Sequence, residues 1–96
     1  MTVQQARDRV EAVLVAAGWV REPVHPGPRA LRRRYLAPGP NRIGVLIGRW
    51  GRVGSVAHCS RAGNYVRTVG RVRGYKGHRW PERMAEELIR LAEEAS

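Results

Sequence analysis

Between Pro23 and Pro81 the chain has no aspartate and no glutamate, although it places thirteen lysines and arginines there. It has one cysteine, Cys59, which excludes an internal disulfide and removes any need for an oxidising compartment. No apolar run reaches the length of a membrane span. The start, Met1-Thr2-Val3-Gln4-Gln5, lacks the basic-then-apolar layout of a signal peptide. These absences point to a cytoplasmic protein with no membrane contact. Cys-x-x-Cys pairs are missing too, and His25, His58 and His78 are dispersed. No metal site, cofactor or catalytic set is therefore expected.

What remains is strongly basic. The 96 residues carry eighteen Lys and Arg against eight Asp and Glu, a net charge of +10. Seventeen of those cations are arginine, and coding bias explains arginine over lysine but not the missing carboxylates. Residues 1–22 are electrically balanced and residues 82–96 are acidic, so the excess belongs to the middle. An acid-free block cannot neutralise itself, so its charge is expected to face water or a polyanion.

At this size one domain with one modest core is expected. Val3, Ala6, Val10, Val13, Leu14 and Ala17 form a helical stripe, opened by Thr2 and Gln5 as a capping box and stopped by Gly18. Trp19 to Pro28, with three prolines, reads as an extended connection. Strands are expected at about 30–37, 42–50, 52–60 and 64–72. The turn Pro38-Gly39-Pro40-Asn41, then Gly51, then Arg61-Ala62-Gly63-Asn64 separate them. Pro81 suits the first turn of a last helix whose apolar side is Met84, Ala85, Leu88, Leu91, Ala92 and Ala95. The expected fold class is α+β: a three- or four-stranded antiparallel sheet with both terminal helices on one face and the other face partly open.

That open face is the expected ligand platform. Strand alternation puts Arg32 and Arg34 on one face and Arg33 with Tyr35 on the other, and it puts Arg67 and Arg71 together. Arg49, Arg52, Arg73, Lys76 and Arg79 fall in turns or in the last loop, where long side chains reach phosphates. Trp50 lies between Arg49 and Arg52, placed to stack on a base, whereas Trp19 and Trp80 flank helices and are expected to close the core. Gly70-x-x-x-Gly74-x-x-Gly77 matches no Walker or dinucleotide spacing.

Two resemblances concern element order. The α-β-β-β-α order resembles the double-stranded-RNA-binding domain. Lys76, Arg79 and Arg83 stand where that family has a lysine-rich turn, without its paired lysines. Gly48-Arg49-Trp50, Gly54-Ser55-Val56-Ala57, Val69-Gly70-Arg71-Val72 and an alanine-rich helix resemble the DNA-binding domain of plant ethylene-response factors and some phage homing nucleases. The loop 73–80 and the well-formed first helix depart from that pattern.

The sequence thus favours a non-enzymatic nucleic-acid-binding module, with double-stranded DNA ahead of RNA, as an accessory or regulatory factor of a phage or mobile element. Second comes a protein-interaction or inhibitor module that docks its basic face on an acidic partner protein. Third comes a small ribonuclease using His58, which would need a positioned partner for acid–base work.

Overall fold

In the computed structural model the described residues are 1–22, 33–47, 54–59, 65–72 and 76–95. Two helices and five strands follow one another as α1 (Val3–Ala16), β1 (Val20–Glu22), β2 (Arg33–Leu36), β3 (Ile43–Ile47), β4 (Gly54–Cys59), β5 (Tyr65–Val72) and α2 (Trp80–Ala95). The strands form one antiparallel meander in the order β1-β2-β3-β4-β5, so β1 and β5 are its edges.

The first helix begins and ends as its sequence requires. Thr2 Oγ1 accepts from the Gln5 amide at 3.1 Å, and Gln5 Oε1 accepts from the Thr2 amide at 2.8 Å. At the other end Gly18 takes φ +91, a left-handed value that costs a side-chain-bearing residue more. The Gly18 and Trp19 amides then donate to Val15 and Leu14, each at 3.0 Å. This is the paired closure that satisfies the last carbonyls of a helix.

One core lies between the helices and one face of the sheet. Ala6, Val10 and Leu14 of α1 and Met84, Ala85, Leu88 and Ala92 of α2 meet Tyr35, Ile43, Val45, Ile47, Val56 and Val72, with Trp19 and Trp80 closing it. Both tryptophans are buried, in keeping with their place beside helix ends. The helices also pack on each other, so the sheet, α1 and α2 share one hydrophobic cluster.

Two features differ from the sequence reading. The sheet has five strands rather than three or four, because Val20–Glu22, inside the expected extended connection, pairs with Leu36, Tyr35 and Arg34. The face turned away from the helices is also not open at its centre, where Gly44, Ala57 and Cys59 are buried. Gly44 is needed there: a Cβ on it would stand 3.1 Å from the Tyr35 carbonyl and 3.2 Å from Cys59 Sγ.

Candidate nucleic-acid interface

The chain's charges sort by layer. Among the described residues, Arg9 pairs with Glu82, Arg21 and Arg33 with Glu11, Arg33 with Asp8, and Arg90 with Glu87 and Glu94. Four arginines thereby occupy five of the eight carboxylates, all on α1 or α2. Glu22, Glu86 and Glu93 take no part in these six pairs.

Arg33 corrects one expectation. It belongs to the acid-free block, yet it is 5% exposed and turned toward α1. There its Nη1 donates to Asp8 Oδ1 at 2.8 Å and lies 3.8 Å from Glu11 Oε2. Burial alone would lower its pKa; the bonds to Asp8 and Tyr35 outweigh that and raise it. Glu11 also accepts from the Tyr35 hydroxyl at 3.0 Å and from Arg21 at 3.2 Å, so one carboxylate serves two donors beside the Arg33 charge. The block is thus acid-free in sequence but not in space.

The expectation that Arg67 and Arg71 share a face assumes unbroken alternation, and the ladder between them is not regular. The β4–β5 register runs Ser55↔Arg71, Val56↔Gly70, Ala57↔Thr68, His58↔Arg67 and Cys59↔Tyr65, with irregularities between Val56/Ala57 and His58/Cys59. Each irregularity passes over one residue of β5, Val69 and then Val66. A surplus residue inverts the alternation beyond it. Arg67 therefore pairs with His58 between the two irregularities, while Arg71 pairs with Ser55 beyond the first of them.

Arg34 is half-buried in β2, opposite Glu22 on one side and Leu46 on the other. Its charge acts on the Cys59 thiol. Burial pushes the Cys59 thiol up, while Arg34 and Arg42 draw it down and Glu22 pushes it up again. Arg42, absent from the sequence-derived set, takes a left-handed φ of 50 just before β3 and acts on the same thiol. Lys76 and Arg79 are exposed just before α2. Arg32, Arg49, Trp50, Arg52 and Arg73 lie outside the described residues, as does His25.

The described basic residues thus stand around the sheet and at the α2 entrance instead of forming one continuous stripe. His58 shares a shallow hollow of about 420 Å³ with Arg67, Thr68, Leu91, Glu94 and Ala95. Among the described residues, no three His, Cys, Asp or Glu come together as a metal site. No described helix is long and apolar enough to cross a membrane. Compared with protein-family models, with curated proteins and with solved structures, the chain gives no match.

Proposed function

We propose that this chain is a nucleic-acid-binding module that engages phosphates through the basic residues of its sheet and loops. One observation carries the reading: the carboxylates are taken up in the helix layer, so most of the positive charge belongs to the rest of the molecule. A polyanion approaching the sheet and loops meets few competing carboxylates, and arginine forks fit phosphate oxygens. Arg34, Arg67, Arg71, Lys76 and Arg79 are the described contributors, with Arg32, Arg49, Arg52, Arg73 and a stacking Trp50 added from the sequence. Duplex DNA is placed ahead of RNA. The reading assigns no catalytic residue, and it puts the protein in the cytoplasm as an accessory or regulatory factor.

A gel-shift series with duplex DNA, duplex RNA and single strands at near-physiological salt tests it. Binding that weakens steeply with added salt is expected. Tight binding to one acidic protein, with none to any nucleic acid, would replace this reading with the acidic-partner one.

A further inference from the structure

The hollow beside His58 lies where the β4–β5 ladder carries its two irregularities. They bracket the His58↔Arg67 pair, and a bulged strand bends and re-aims the side chains at the bulge. Two pairs along, α2 lies directly on β5: a Cβ on Gly70 would stand 3.3 Å from Leu91 Cδ1. The hollow lies between this helix and the outer strands β4 and β5.

Its walls are chemically unlike. The sheet wall offers Arg67, which only donates hydrogen bonds, with Thr68 and His58 beside it. The helix wall offers Glu94, whose Oε1 is held by Arg90, and the last turn of α2, which has no basic residue to offset its terminal carbonyls. Leu91 and Ala95 supply a partly buried apolar surface between them. A bare phosphate is disfavoured because Glu94 and the negative end of α2 would repel it. A fitting ligand has acceptors on one edge, donors on the other and a flat apolar body. Guanine has that pattern, with O6 and N7 as acceptors and N1–H and N2–H₂ as donors.

We propose that this hollow holds the base of an unpaired guanine nucleotide, with Arg67 at the O6/N7 edge and Glu94 at the N1/N2 edge. The proposal rests on the nucleic-acid reading and deepens it: the sheet and loops take phosphates, and the hollow takes one base that has left its stack. The hollow is shallow and open, so the base would lie in it with one face toward solvent.

The test is an NMR titration of the full-length protein with GMP, IMP, AMP, CMP and inorganic phosphate. GMP is expected to move the resonances of His58, Thr68 and Leu91. AMP and CMP should bind about tenfold more weakly, the discrimination one well-placed base contact gives. IMP, which lacks the N2 amine, should fall between. Arg67→Ala and Glu94→Ala should each abolish the preference for GMP over AMP, and both positions are exposed, so folding should survive. Equal shifts with GMP and AMP, the same shifts with phosphate alone, or none at millimolar GMP would overturn the proposal. Gel-shift binding by the unaltered protein while GMP shows no preference over AMP sinks the hollow and leaves the nucleic-acid reading standing. GMP preference without any gel shift does the reverse.

Discussion

Arg33 and Asp8, 25 positions apart, meet at 2.8 Å beneath α1, and the arginine in that pair is almost wholly buried. The contact joins the acid-free middle of the chain to its N-terminal helix. Beside it Arg7 is also buried, with its Nε unbonded, and both burial and the neighbouring Arg33 charge lower its pKa. Two buried guanidiniums side by side make the carboxylates of α1 structural necessities.

Glu11 should matter more than Asp8. Its carboxylate receives Tyr35, Arg21 and Arg33, whereas Asp8 is half-exposed and its loss leaves Arg33 near Glu11. Glu11→Ala should destabilise by about 1–3 kcal/mol, the cost of leaving buried donors unmet. Asp8→Ala should cost less than half as much. Urea denaturation of both variants checks the order.

Leu14 and Leu88 have no exposed surface and lie in the same cluster from different helices. Either change to alanine should destabilise by about 2–5 kcal/mol, as large-to-small core changes do. Losses below about half a kcal/mol at both positions would contradict the single core.

Gly44→Ala should destabilise by about 1–3 kcal/mol, because the new methyl meets the Tyr35 carbonyl, which is backbone and cannot turn aside. Adding Cys59→Ala should recover part of the loss by clearing the sulfur. The same burial predicts a slow thiol: Cys59 should react with a thiol reagent only as the protein unfolds, since its pKa is raised and Sγ is covered. Cys59→Ser should leave nucleic-acid affinity within about threefold, a small effect where tenfold is 1.4 kcal/mol.

Arg9 holds the Glu82 carboxyl below the usual carboxylate range through a charged hydrogen bond. A folded-state pKa below the unfolded value contributes stability above the unfolded value, about 4.3. That contribution should fade as pH drops below it, through the lowered folded value. Glu82→Gln should flatten this acid limb of the stability curve and leave the limb near neutrality unchanged. Thermal melts between pH 7 and pH 3 would show it.

If four to six phosphates are engaged, log K against log salt should slope at about -4 to -5 on duplex DNA. Arg34→Ala and Arg71→Ala should each flatten it by about one unit, since one phosphate contact is worth about 0.9. Glu93→Lys, in the acidic last helix, should change it little. Equal responses at all three positions would mean unspecific stickiness and would sink the binding-face model.

Much of this fold is legible in the residues. The capping box at Thr2 and Gln5, the stop at Gly18 and the stripes of both helices are local patterns, and the structure reproduces them. The stripe of α1 is narrower than its sequence suggests, because Val3 is exposed and Arg7 takes a buried place. Strand β1 escapes notice because Val20-Arg21-Glu22 is too short for alternation and runs into prolines; only pairing with β2 makes it a strand. The bulges escape for a related reason. Residues 65–72 alternate acceptably as written, and a surplus residue exists only relative to a partner strand. The site was legible as charge, but the Arg33–Asp8 and Arg9–Glu82 pairs are long-range and follow from packing.

The two surplus residues of β5 also bear on what the molecule avoids. An outermost strand with a regular run of free amides and carbonyls is a template on which a stranger's strand can be laid. In β5, Val66 and Val69 interrupt the spacing, so an incoming flat strand would fall out of step within a few residues. A rim with that spacing is a poor template for further strands, and the protein should remain dispersed when concentrated.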